Sequence, residues 1–124
     1  MDHDELAATY GFANAVHAGG LVFFAGQIGM TSDGSTPTDP AEQYALAFAT
    51  LGKALAAEGC STNDLVELVS FHTHYPAHMD LFMQAKAAFL GTALPTWTAI
   101  GAAALGTPDT LVEIKATARS PRAV

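Results

Sequence analysis

Hydrophobic and polar positions run through the chain with two periods. The stretch GLVFFAGQI, Gly20 to Ile28, is a short apolar run of strand length, preceded by the extended piece FANAVHAG. Ala18, Gly19 and Gly20 between them predict the turn of a hairpin. The polar segment TSDGSTPTDP, rich in turn formers, reads as a loop. It ends in Asp39-Pro40-Ala41-Glu42, which supplies a helix N-cap, a proline at the first helical position and an acidic first turn. Tyr44, Phe48, Leu51 and Leu55 then form one helical stripe that stops at Gly59. DLVELVSFHTHY, Asp64 to Tyr75, predicts a third strand. A second helix over about Ala77 to Leu90 carries Leu81, Phe82, Ala85 and Phe89 on one side and ends at Gly91. TWTAIGAA and LVEIKATA give two further strands, so the predicted order is β-β-α-β-α-β-β. Strands clustered around two helices predict an α+β domain, residues 1–124, with both helices on one face of a mixed sheet.

The other face of that sheet is informative. In the last strand Val112, Ile114 and Ala116 point one way and suit the helices, while Leu111, Glu113, Lys115 and Thr117 point the other. LVFFAGQI is apolar on both faces, so its outer side needs a cover that the chain does not supply. A second copy is the simplest cover. Composition agrees: hydrophobic residues make up 50% of the 124, and charged residues 14%, against about a quarter in an ordinary soluble domain. No apolar run approaches the roughly 20 residues of a membrane span. The acidic start MDHDELAATYG is neither a secretory signal nor a transit peptide, and the expected location is cytoplasmic. The formal charge of −7, with five scattered lysines and arginines, argues against a nucleic-acid partner. The single cysteine, Cys60, excludes an internal disulfide and a cysteine-rich zinc motif, and reads as a small, partly buried residue.

Three positions carry candidate chemistry. His72 and His74 alternate on the third strand and so are expected on one face, about 6.5–7 Å apart along the chain, with Ser70 beside them. With His78 or a carboxylate such a pair could chelate a metal. HTHYPAH is a loose match to known metal motifs, however, and neutral histidines donating or relaying protons in a cleft fit better, with no metal. Glu113 is a solvated strand carboxylate, ion-paired to Lys115, or a cleft carboxylate if a neighbour covers its face. In ALPTWTAIG the only tryptophan, Trp97, follows Pro95 between two threonines, as either core or the wall of a site. His3 lies in a start expected to fray and His17 near the first turn, and neither is assigned a role.

GFANAVHAGGLVFFAGQIG, DLVELVSFHTHY and LPTWTAIGAAAL…PDTLVEIKATA resemble, in order and spacing, the RidA/YjgF family over roughly Tyr10 to Ala118. The resemblance implies a chorismate-mutase-like α+β fold, a homotrimer, and sites in clefts between subunits. The best-known members hydrolyse reactive enamines and imines such as 2-aminoacrylate to keto acids and ammonia, without a cofactor. In deaminating members an arginine two residues after the proline of the late strand binds the substrate carboxylate, a task suited to a planar guanidinium. Here that position is Trp97, the family's frequent cysteine two residues on is Ala99, and its N-terminal tyrosine is matched by Phe12. Glu113 matches the glutamate that orients or activates water, and Gly26 the backbone beside the ligand. An indole offers one N–H and an apolar face but no charge. A small α-imino acid would lose a charge-assisted anchor worth roughly 1.5–3 kcal/mol, whereas an apolar substrate would gain stacking area. The implied reading is a hydrolase or deaminase of an imine, enamine or related unsaturated small molecule. Glu113 would be catalytic, with Trp97, Phe12, Gly26, His72, His74 and Ala99 around the substrate. The alternative is a non-catalytic trimer that binds a metabolite or a protein.

Overall fold

The computed structural model describes residues 2–122. Its elements are α1 (His3–Tyr10), β1 (Ala15–Ala18), β2 (Leu21–Gln27), α2 (Pro40–Ala57), β3 (Leu65–His72), α3 (Met79–Leu90), β4 (Thr96–Gly101) and β5 (Val112–Arg119). The five strands form one mixed sheet in the order β1-β2-β5-β3-β4, with β3 and β4 parallel and the other neighbours antiparallel. The seven predicted elements are present in the predicted order, and α1 is added in front of them. The start does not fray. Asp2 accepts from Glu5 N at 2.8 Å, Glu5 reaches back to Asp2 N at 3.3 Å, and Gly11 closes the helix at φ 75°.

The stripe predicted for α2 is the core. Tyr44, Phe48, Leu51 and Leu55 are buried and meet Phe82 of α3 and Val22, Phe24, Ile114 and Ala116 of the sheet. Tyr44 and Phe82 meet edge to face at 5.4 Å, a favoured aromatic geometry. Helices α2 and α3 therefore cover one face of the sheet, as expected. The other face is open in the single chain: Val16 and Phe23 are exposed, as is Ile100, and Val69 and Phe71 are half-buried beside them.

Strand β2 carries an irregularity that decides which residues face inward. Phe24 pairs with Ala116 but Gln27 pairs with Ile114, so Ala25 and Gly26 together oppose a single residue of β5. Simple alternation would turn Gln27 outward with Phe23. The bulge rotates it inward, where it is fully buried. At the other end of the sheet, His17 shares a hydrogen bond with Ser120 Oγ at 2.7 Å and contacts Glu58 Oε1 at 2.8 Å. It thereby ties the first strand to the end of α2 and the chain's exit from β5.

A second buried amide joins the layers. Gln43 of α2 donates through Nε2 to the carbonyls of Pro37 and Asp109 at 3.0 Å each, and its Oε1 accepts from Leu111 N at 2.6 Å. Gly29 packs so tightly on this turn that a Cβ there would collide with the Gln43 carbonyl. Replacing the fully buried Gln43 by leucine removes three hydrogen bonds, one to the Leu111 N–H and two to the Pro37 and Asp109 carbonyls. Gln43→Leu is expected to cost roughly 3–5 kcal/mol, read as a lowered urea midpoint with unchanged slope.

Candidate functional site

Glu113 lies on the open face, opposite Phe71 of β3. It is half-buried, and desolvation raises its carboxyl above the ordinary glutamate range. The bulge in β2 brings Gly26 against it: a Cβ on Gly26 would stand 2.5 Å from Glu113 Cδ. No hydrogen bond or ion pair joins Glu113 to Lys115 among the described residues, so the carboxylate is held by packing alone. Phe12, 43% exposed, follows the cap of α1 and leads into the start of β1. There Ala25 N, next to Gly26, donates to Asn14 O at 2.9 Å.

Trp97 is on the opposite face. It pairs with Leu68 and therefore points into the helix layer, as does Ala99, which pairs with Ser70. Its ring stacks on Phe82 at 6.0 Å and 30°, its Nε1 donates to Ser70 Oγ at 2.9 Å, and the Lys86 ammonium sits 4.5 Å above its centroid. Ser70 Oγ also shares a 2.8 Å hydrogen bond with His72 Nε2. His72 is buried edge-on against Phe82 at 4.6 Å, and its Nδ1 has no partner among the described residues. Burial lowers its pKa to about 4, so it is neutral at ordinary pH.

The expectation that His72 and His74 share a strand face is corrected here. Strand β3 ends at His72, and His74 sits in the following turn at φ 59°, exposed, beside a small cleft of about 350 Å³ that Thr73 and Leu105 help to line. His78, at φ 65°, precedes α3. Among the described residues no three histidine, cysteine or acidic side chains converge to hold a metal ion. Cys60 is buried with Sγ 3.4 Å from Arg119 O, and burial pushes its thiol pKa up, away from the reactive thiolate.

The structure thus makes two groups from the candidate residues: Glu113 with Gly26 on the open face, and Trp97, Ala99 and His72 on the helix side. Sequence reasoning missed the roles of Ser70 and Lys86. The S-x-H spacing of Ser70 and His72 on one strand was the available signal for the first. Lys86 follows Phe82 by one helical turn and so falls over the same ring.

A mixed sheet in this strand order, with two helices on one face and a desolvated glutamate on the other, defines an α+β, chorismate-mutase-like class. The family described as endoribonuclease L-PSP matches over residues 2–120. The chain is 37% identical over 117 residues to the RutC family protein YjgH of Escherichia coli (strain K12), spanning 94% of this chain and 88% of that protein. A solved YjgH structure superposes with a TM-score of 0.87 at 35% identity, over 99% of this chain and 93% of the other. Rv2704 of Mycobacterium tuberculosis, a member of the YjgF/YER057c/UK114 family, superposes at 0.81 with 28% identity, over 93% and 92%. E. coli TdcF, solved with bound serine, does so at 0.80 with 25% identity, over 87% of each chain. The chain belongs to the RidA/YjgF family.

Two outcomes test this geometry. The unfolded chain protonates His72 near pH 6.5 and the folded chain only near 4. Between those values the unfolded state binds more protons, so stability falls as pH is lowered. Glu113 acts with the opposite sign, since its raised pKa favours the folded state at low pH and is a penalty once pH passes it. From about pH 7 to about pH 4, urea unfolding of the wild type should lose about 2–3 kcal/mol more than that of His72→Gln. Gly26→Ala brings a Cβ to 2.5 Å from Glu113 Cδ and 2.6 Å from its Cγ and Oε2, so the Glu113 side chain must turn away. It should change stability by less than about 1 kcal/mol, while NMR titration shows the Glu113 carboxyl shifted from its wild-type pKa as the carboxylate is pushed aside.

Proposed function

We propose that the protein is a cytoplasmic, cofactor-free hydrolase of an imine, enamine or related unsaturated small molecule, working as a homotrimer with sites between subunits. The observation that carries this reading is the Glu113 carboxylate, desolvated on an apolar face and without a salt bridge among the described residues. A carboxylate with a raised pKa is a better-matched general base toward water than an exposed one. Glu113 takes a proton from water as the water oxygen adds to the C=N carbon, and hands it to the imine nitrogen. The carbinolamine formed then expels ammonia to leave the carbonyl compound, so an imine and water become a carbonyl and ammonia. Gly26 leaves room for the carboxylate and the reacting atoms beside it.

Because Glu113 and Trp97 lie on opposite faces of one sheet, a single cleft holds both only if two protomers contribute. The apolar face around Val16, Phe23 and Phe71 supports such an assembly. In this reading Trp97, Phe12 and Ala99 form an apolar wall and His74 is a polar contact at the rim. His72 is an indirect contact, holding Trp97 through Ser70. The shape favours a substrate with an apolar body over a small α-imino acid, and Lys86 is the cation nearest that wall.

The endoribonuclease of the family description is not carried over. With a net charge of −7 and five scattered basic side chains, the chain has no stripe to neutralise phosphates. A non-catalytic binding module is the second reading, favoured by one observation: the only indole donor of Trp97 is already used by Ser70.

The deciding experiment follows ammonia release from imines generated in situ by amino-acid oxidases, running from alanine-derived to aromatic. Acceleration should be greatest for bulky apolar imines and fall by about 10²–10⁴ in Glu113→Gln, with the assembly intact by sedimentation. No acceleration for any imine would leave the binding module as the better reading.

A further inference from the structure

A cleft of about 670 Å³ opens between α1, α2 and the β1–β2 hairpin, within the size range of small-molecule sites. It is on the helix side of the sheet, away from Glu113, since Gln27 on its wall pairs with the buried Ile114. Gln27 is fully buried there, and its amide orientation is fixed. Nε2 donates to Asn14 Oδ1 and to the Ala25 carbonyl at 2.9 Å each, and a carbonyl accepts only from the NH₂ end. Oε1 is left with no hydrogen-bond partner among the described residues. A buried acceptor without a donor is costly, and none of the described side chains on this wall supplies one to Gln27 Oε1.

The charges around the cleft say what kind of donor fits. Among the described residues Asp2, Asp4 and Glu58 line it against one lysine, Lys53. His3, also on the wall, adds no charge: burial lowers its pKa, and its Nε2 accepts from Ile28 N at 3.3 Å. Ala15, Ala54, Ala57 and Met30 supply a small apolar surface between the polar groups.

We propose that this cleft is a second ligand site, taking a short aliphatic primary ammonium ion, with Gln27 Oε1 as its innermost acceptor and Asp4 and Asp2 as charge partners. An ammonium brings three N–H donors and the compensating charge, and a short carbon chain covers the alanines. The site is independent of the chemistry proposed for Glu113, and its test reads binding without turnover.

The test is isothermal titration calorimetry and thermal melting of the full chain with ethanolammonium chloride and 1,4-diaminobutane dihydrochloride. Glycerol and sodium acetate at matched ionic strength are the controls. Saturable heats and a rising Tm are expected with the amines alone. Asp4→Asn should weaken binding about threefold to fivefold. Ala57→Leu, an exposed helix position that fills the cleft, should abolish binding while its ligand-free melt stays close to wild type. Gln27→Leu should abolish it too, but it also releases Asn14 and the Ala25 carbonyl, so the Asp4 and Ala57 variants carry the decision. No saturable response to either amine overturns the proposal, as does an equal response to glycerol or binding that Ala57→Leu leaves unchanged. In each of those cases the orphaned oxygen serves an ordered water only.

Discussion

The Gln43 amide fixes the helix layer against the sheet at the point where β5 begins. Its oxygen holds the Leu111 N–H, and its nitrogen holds the carbonyls of Pro37 and Asp109, so the loops before α2 and before β5 meet on one side chain. Glu113 is two residues beyond Leu111, which gives its register against Phe71 and Gly26 little freedom once that amide is in place. A helix–sheet interface built only of aliphatic contacts could slide by a fraction of a residue at small cost. Three directional hydrogen bonds from a fully buried amide cannot.

The sheet is also a partition between two kinds of polar group. On the helix side His72, Ser70 and Trp97 form a neutral hydrogen-bonded chain inside aromatic packing. On the open side Glu113 is a carboxylate short of both water and cations. Burial moves both groups toward their neutral forms, which means a lowered pKa for the imidazole and a raised one for the carboxyl.

Much of this was legible in the sequence. The α2 stripe, the Asp39-Pro40 start and the Gly19–Gly20 turn all predicted their elements, because each rests on local geometry. Helix α1 was missed although Asp2, Glu5 and Gly11 are its capping signals, since an acidic and weakly apolar start reads as solvated chain. The placement of His74 failed for a different reason: period-2 extrapolation ran past the true end of β3 into a left-handed turn that a histidine does not announce. The opposite faces of Trp97 and Glu113 depend on the parallel register of β3 with β4, a long-range pairing that periodicity does not encode. Gln27 and Gln43 are invisible to a hydrophobic pattern, which sends amides to the surface, and the first is turned inward only by the bulge at Gly26.

Trp97 is the only indole in the chain, and its surroundings make it an optical reporter of one corner of the molecule. Its N–H is bound to Ser70, one flank rests on Phe82, and an ammonium lies over the ring. All tryptophan emission therefore comes from the seam between α3 and the edge strand β4. Because the same serine oxygen touches His72, a proton arriving on that imidazole alters the hydrogen bond the excited indole makes. Any loosening of this edge, by acid or by denaturant, has a spectroscopic signature without an added label.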